Sequence, residues 1–293
     1  MDSDLKEYLY DKYNISILTY EKITAGFVND IYHIKTNSED YILKKYNLLN
    51  DFQIDLSISV QRYMSNKNLS PQIFIDGFFE GKFILQEYIP SDEKSNITWK
   101  KFGENLAIIH KYLKKYNKKS VKKFIQTNYF EVDLKELSID QQYLIKLKKE
   151  MTLIFNKVSL NKTQLIHGDY TYNNLIYNNS KLYTIDFDQV KNYYTIYDIS
   201  KVILNIIFFQ PKSDKIWINI NEFIRGYENF NEISNDEKKE FLNIYGYTLL
   251  CDMSGLCNTN NKDANYLKKR IDINKNLIQC YQEKNELFRR IKW

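Results

Sequence analysis

The chain has 293 residues, of which 43% are hydrophobic, 15% aromatic and 27% charged, with only 8 Gly and 3 Pro. That is enough apolar material for one large domain or two smaller packed ones, and it excludes a disordered chain or a mini-protein. Its net charge of +5, from 42 Lys and Arg against 37 Asp and Glu, is too mild for a dedicated nucleic-acid binder. Cys251, Cys257 and Cys280 are odd in number and form no pair of C-x-x-C units, so they suggest neither a zinc site nor a disulfide framework and fit a reducing compartment. The opening MDSDLKEYLYDKYN is acidic and lacks the basic-then-apolar order of a signal peptide. The longest apolar run, VILNIIFF, is far short of a membrane span. The expected location is the cytoplasm, with no membrane partner.

In chain order, EKITAG, DIYHIKT and DYILKKYN alternate β-branched or aromatic residues with polar ones across turn residues, which predicts an antiparallel meander. DFQIDLSISVQRYMSNKNLSP follows, with Ile54, Ile58, Tyr63 and Met64 at helical spacing and Pro71 beyond its end, so one helix is expected. PQIFIDGF and KFILQEYI are two further strands joined through Glu80 and Gly81. The pattern changes after the polar SDEKSN, and the boundary is placed between residues 1–90 and 91–293.

The second part begins with TWKKFGENLAIIHKYL, where Trp99, Phe102, Leu106, Ile109 and Leu113 recur at spacings of three and four. Its lysine-rich tail, HKYLKKYNKKSVKKF, reads as a solvated helix end, where cations complement the carbonyl terminus, before it reads as a phosphate patch. Short strands are expected at QLIHG, NLIYN and KLYTIDF. Helices return at YDISKVILNIIFF, DKIWININEFIRGY, SNDEKKEFLNIYGYTLLCDM and DANYLKKRIDINKNLIQCYQEKNELFRRI. Ser234 and Glu237 form a capping box before the third of these.

Residues 165–188 read LIHGDYTYNNLIYNNSKLYTIDFD. Phosphoryl transfer needs a carboxylate to orient the attacking hydroxyl, oxygen ligands for a metal that bridges the phosphates, and a cation on the nucleotide. Asp169 follows His167 in HGD, Asn174 stands five residues later as in the kinase catalytic loop, and Asp186 closes the apolar run where a DFG aspartate would stand. An amide oxygen and a carboxylate suit Mg2+. By themselves these groups could equally be turn residues, since Asn173, Asn174, Asn178 and Asn179 all favour turns.

On HGDYTYNN and IDFD the chain resembles the aminoglycoside phosphotransferase and choline kinase family of protein-kinase-like small-molecule kinases, spore-coat-kinase-like members included. The resemblance implies an α+β, bilobal protein-kinase-like fold: a small antiparallel-sheet N-lobe with one helix, and a larger, mainly helical C-lobe. It implies Asp169 as the catalytic aspartate, Asn174 and Asp186 as magnesium ligands, Mg2+ and ATP as cofactors, and Asp198 in YDISK as the structural aspartate. ITAGFVNDIYHI resembles the nucleotide loop, with Gly26 and Asn29 at its bend, and YILKKYN the next strand. Strand alternation puts Ile42 and Lys44 on one face and Leu43 and Lys45 on the other, so one lysine can reach the phosphates, and Lys44 matches the family better. FILQEYIP resembles the hinge, where backbone groups of Glu87 and Ile89 would meet the adenine. The likeness spans residues 21–206, with a weaker echo at FIRGYENFNEISNDEKKEF.

Three departures stand out. The loop keeps one glycine, DFD replaces DFG, and the helix DFQIDLSISVQRYM has no glutamate to partner Lys44, Asp55 being its nearest acid. Asp188 is read as capping the next loop ahead of assisting the metal, His167 and His110 as structural, and His33 as without function. The implied activity is phosphorylation of a hydroxyl on a small molecule, cationic acceptors included: an aminoglycoside, or alternatively choline, ethanolamine or homoserine. A non-catalytic relative is the further alternative, suggested by the missing glutamate. Glu222, Glu228, Glu232 and Asp252, or Trp217, Tyr227, Tyr245, Tyr247 and Trp293, could serve a cationic acceptor, most of the aromatics being core. Only eleven residues separate Asp186 from Asp198, too few for a protein kinase's long activation loop.

Overall fold

The computed structural model describes residues 3–23, 29–47, 49–93, 97–116, 145–146, 149–150, 152–153, 156–160, 162–209, 215–257, 272 and 290–293. All but residues 272, 290 and 291 of the expected C-terminal helix, together with Lys118, Lys119, Lys122, Lys123, Cys280 and Gly26, lie outside these residues. The chain divides into two compact units, Met1–Lys94 with Asn173–Gln189, and Ser95–Tyr172 with Val190–Trp293.

The first unit holds a five-stranded antiparallel sheet in the order β1-β2-β3-β5-β4, with β1 Thr19–Lys22, β2 Asp30–Lys35, β3 Asp40–Lys45, β4 Ile73–Phe78 and β5 Lys82–Glu87. Alternation gives the sheet two apolar faces. Ile34, Leu43, Phe83 and Leu85 pack on one side with Leu5 and Leu9 of α1 (Ser3–Tyr13), a helix additional to the expected one. Ile73, Ile84 and Tyr46 pack on the other side with Ile54 and Ile58 of α2 (Asp51–Ser65), whose first turn is capped by the Asn50 side chain on the Gln53 N–H. Lys44 faces α2 with the second set, and 7% of it is exposed.

Asn173–Gln189 joins this unit through specific bonds. The hairpin β7 (Leu175–Asn178) to β8 (Lys181–Thr184) turns through Asn179 and Ser180, both at positive φ, the two-residue turn that follows strand twist. Thr184 N–H donates to the Leu69 carbonyl at 2.7 Å and Asp92 N–H to the Tyr177 carbonyl at 2.7 Å. The Asn178 amide donates to the Pro90 carbonyl at 2.9 Å. The expected division into 1–90 and 91–293 therefore differs from the compact units in this returning segment, which pairs within its own hairpin and bonds to Leu69, Pro90 and Asp92.

The second unit is mainly helical. α3 (Trp99–Lys115), capped by Thr98, crosses α5 (Ile216–Glu228) at glycines. A Cβ on Gly103 would lie 2.1 Å from the Phe223 carbonyl oxygen, and one on Gly226 2.0 Å from that of Lys100. Any side chain there forces the helices apart. α4 (Thr195–Phe209) buries Ile196, Ile199, Val202, Ile203 and Ile206. α6 (Asn235–Cys257) starts at the expected capping box: Ser234 N–H donates to Glu237 Oε2 at 3.0 Å and Glu237 N–H to Ser234 Oγ at 3.3 Å. β6 (Gln164–Ile166) pairs antiparallel with β9 (Lys191–Tyr193), a strand absent from the sequence reading. Among the described residues no helix is long and apolar enough to cross a membrane.

Candidate active site

In the first unit, the end of the β7–β8 hairpin brings two expected metal ligands together. Ile185 N–H donates to the Asn174 carbonyl at 3.0 Å, so Asn174, entering β7, and Asp186, leaving β8, stand at the same end of one hairpin. Asp186 has φ 65°, a left-handed conformation that Asp tolerates better than most residues and that gathers at functional sites. Lys44 Nζ donates to Asp186 Oδ1 at 2.9 Å and to Asp188 Oδ1 at 2.8 Å. Burial alone would lower the Lys44 ammonium, but these two carboxylates hold it above the ordinary lysine range. Asp188 is not the loop cap expected of it. With 8% exposed, it accepts from Lys44, from the Ser57 hydroxyl at 2.8 Å and from the Asn29 amide at 2.7 Å. Burial pushes its carboxyl up, against the lowering effect of Lys44.

Asp55, the nearest acid on α2, does not reach Lys44; it pairs with Lys82. At the expected hinge, Glu87 N–H donates to the Gln72 carbonyl at 2.8 Å, and Ile89 is buried. The neighbouring Gln86 amide accepts from Gln61 of α2 at 2.6 Å.

In the second unit, Asp169 sits on a loop held from beneath. Gly168 has φ 82°, which glycine adopts without strain. Asp169 N–H donates to His167 Nδ1 at 3.3 Å, and His167 is fully buried. The Tyr170 hydroxyl donates to Asn105 Oδ1 on α3 at 2.7 Å, and Tyr172 stacks on Phe102 with ring centroids 6.3 Å apart. Asp198 on α4 accepts from the N–H groups of His167 and Gly168, both at 2.9 Å, and meets His110 Nε2 at 3.0 Å. His110 Nδ1 lies 2.8 Å from the Tyr227 hydroxyl, so both ring nitrogens of this buried histidine have partners. The Asp169 carboxylate is 36% exposed and its Oδ1 lies 3.4 Å from Lys201 Nζ, which also stands 4.0 Å from Asp252.

Sequence reasoning missed Lys201, one turn along α4 from Asp198, and Lys191 on β9. Lys191 is 6% exposed, with its ammonium 4.1 Å from the centre of the Tyr197 ring and 5.8 Å from that of Tyr193. Burial pushes it down to about 8 from an ordinary 10.5, partly opposed by the Cys251 thiol. Between those values the unfolded chain binds the extra proton, so stability rises with pH across this window, and the cost of the buried charge is full below pH 8. Lys191→Met is therefore expected to raise stability at pH 7 by about 2–3 kcal/mol and to flatten its pH dependence from about pH 8 to 10. Urea melts across that range check it; parallel curves for the two proteins would show that the charge is carried without cost.

Of the residues offered for a cationic acceptor, Tyr227 and Tyr245 are fully buried, Trp293 packs on Phe241 at 4.9 Å, and Glu228 pairs with Lys238 at 2.8 Å. Asp252 stands beside Lys201, which also meets Asp169. Among the described residues no three His, Cys, Asp or Glu side chains converge as a metal cage.

Residues 19–232 match the model of the phosphotransferase enzyme family. No curated protein matches the chain in sequence. Solved structures share its fold at low identity. A microcompartment-associated aminopropanol kinase superposes with a TM-score of 0.74 at 12% identity, covering 97% of this chain and 98% of its own. The amicoumacin kinase hAmiN, in complex with AMP-PNP, Ca2+ and Ami, gives 0.70 at 18% identity, covering 97% and 94%. The choline kinase LicA from Streptococcus pneumoniae gives 0.64 at 14% identity, covering 95% and 98%. The fold is that of the protein-kinase-like small-molecule kinases.

Proposed function

We propose, from the premise that the chain belongs to the phosphotransferase enzyme family and is a small-molecule kinase, that it moves the γ-phosphoryl group of ATP, with Mg2+, onto a hydroxyl of a small acceptor in the cytoplasm. The observation that carries this reading is the shared hairpin end of Asn174 and Asp186, with the Lys44 ammonium on the Asp186 carboxylate. An amide oxygen and a carboxylate fit Mg2+, which binds through few protein ligands and takes waters and substrate phosphates for the rest. Held by Asn174 and Asp186, Mg2+ would neutralise the nucleotide phosphates and template their geometry.

The chain's own groups then divide the work. Lys44 holds the nucleotide phosphates as a point charge. By the family resemblance, the loop at Gly26 covers them, and backbone groups of Glu87 and Ile89 meet the adenine. Asp169 accepts the hydrogen bond of the acceptor hydroxyl and takes its proton as the new P–O bond forms and the bond to the departing ADP oxygen breaks. Lys201 Nζ, 3.4 Å from Asp169 Oδ1, fixes where that carboxylate points. The ground for a non-catalytic relative was a lysine without an acid, and Lys44 has two.

The acceptor in the leading reading is an aminoglycoside; choline, ethanolamine and homoserine are the alternatives, and the named neighbours with amine-bearing acceptors, choline and aminopropanol, support that set. Incubation with γ-labelled ATP and each of these acceptors, with sugars as a further class, tests it. The expected result is label on one acceptor, with ADP formed, only when a divalent metal is present. No labelled acceptor across the panel, together with metal-independent nucleotide binding, would sink the reading.

A further inference from the structure

We propose that Asp188, the second aspartate of IDFD, is the carboxylate that positions Lys44, in the place of an acid on α2, and that it is a positioning residue rather than a metal ligand. The proposal rests on Lys44 being the phosphate-binding lysine. Strand register turns Lys44 toward α2 and Leu43 toward α1, so an acid for Lys44 should come from the buried side of α2. That side offers Ile54, Ser57, Ile58 and Gln61, none of them acidic. Asp55 is turned outward to Lys82.

What α2 contributes is the Ser57 hydroxyl, and it does not address Lys44 directly. Ser57 Oγ and Lys44 Nζ both donate, each at 2.8 Å, to the same oxygen, Asp188 Oδ1. The other oxygen, Oδ2, accepts from the Asn29 amide at 2.7 Å. Asp188 is thus a buried carboxylate with a protein donor on each oxygen, bound to β3, to α2 and to Asn29 just before β2 at once. A carboxylate buried and bonded in this way keeps its geometry as the elements around it keep theirs. Asp186 differs in being 41% exposed at its side chain, and it is the one of the two suited to a metal. The shared oxygen also means that a side chain two atoms longer than serine at position 57 could reach the Lys44 ammonium itself.

Five variants test this: Asp188→Asn, Asp188→Gly, Lys44→Met, the pair Asp188→Asn with Lys44→Met and the pair Asp188→Gly with Ser57→Glu. Four quantities are read for each: ADP affinity in EDTA by calorimetry, kcat, KM for ATP, and the Mg2+ concentration for half-maximal rate. Asp188→Asn is expected to weaken metal-free ADP binding and kcat/KM about tenfold or more, with the Mg2+ midpoint unchanged. Adding Asp188→Asn to Lys44→Met should then cost almost nothing further, because the two residues act through one interaction. Ser57→Glu should restore nucleotide affinity to Asp188→Gly.

A shifted Mg2+ midpoint with unchanged metal-free ADP affinity would make Asp188 a metal ligand and overturn the proposal, as would full additivity with Lys44→Met. Unaltered nucleotide binding and turnover in Lys44→Met would instead remove the reading of Lys44 on which the proposal stands. Should the Asp188 variants fail to fold, Ser57→Ala, which removes one of the donors to Asp188, is expected to weaken metal-free ADP binding in the same direction by a smaller factor. An affinity equal to the parent's would overturn the proposal by itself.

Discussion

An Asp169→Asn enzyme is expected to keep its fold and to lose about 10²–10⁴-fold in kcat. The stability half of this expectation follows from surroundings. The carboxylate is partly exposed, and its loop is fixed by groups the substitution leaves alone: the Asp169 N–H on His167, the Tyr170 hydroxyl on Asn105, and the two N–H groups on Asp198. Lys201 loses one acid but keeps Asp252, so no buried charge is orphaned. The kinetic half follows from chemistry. An amide has the shape of the carboxylate but cannot take a proton from an alcohol at neutral pH. The loss should fall on kcat, with KM for ATP little changed, because the nucleotide is assigned to other residues. An ADP-release assay beside a thermal melt checks both halves, and an unimpaired kcat would remove Asp169 from the chemistry.

Asp198→Ala is expected to act through stability and to cost about 3–5 kcal/mol. Asp198 is fully buried. Burial alone would raise its carboxyl, yet His110 beside it, helped by His167 and Lys191, holds it below the ordinary carboxylate range. Alanine would leave the N–H groups of His167 and Gly168 and the His110 ring facing a void, and unmet buried donors cost most when their partner was charged. The urea midpoint should fall accordingly, and turnover should drop even where the protein is still folded, because the lost bonds hold the residues just before Asp169. The pH sign is fixed by the lowered value: the contribution is fully present above about pH 4 and is lost as pH falls through the folded-state value. The variant should therefore show a shallower acid limb in its stability profile than the parent, and a parent-like midpoint and acid limb would contradict the role given to Asp198.

Much of this was legible because the signals were local. The period of α3, the alternation that puts Lys44 and Leu43 on opposite faces, and the capping box at Ser234 and Glu237 depend on neighbours in sequence. What escaped depended on residues far apart. α1 shows only Leu5 and Leu9 as buried residues, too weak a stripe to stand out until Ile34, Leu43 and Phe83 give it a surface. β9 is three residues long and exists through pairing with β6. Asp188 read as a loop cap because its donors, Asn29, Lys44 and Ser57, all lie more than a hundred residues away. The same distance made Lys44 look unpartnered when α2 was read alone.

The return of Asn173–Gln189 to the first unit sets the order in which the protein can be completed during synthesis. When Lys94 leaves the ribosome, every residue of the sheet and of its two helices has been made. The Leu69 carbonyl, however, has no Thr184 to meet, and Lys44 has neither aspartate. At about 5–20 residues per second, several seconds pass before those partners emerge. The first unit therefore cannot complete its contacts, the Lys44 ion pairs among them, until the second half of the chain is well under way.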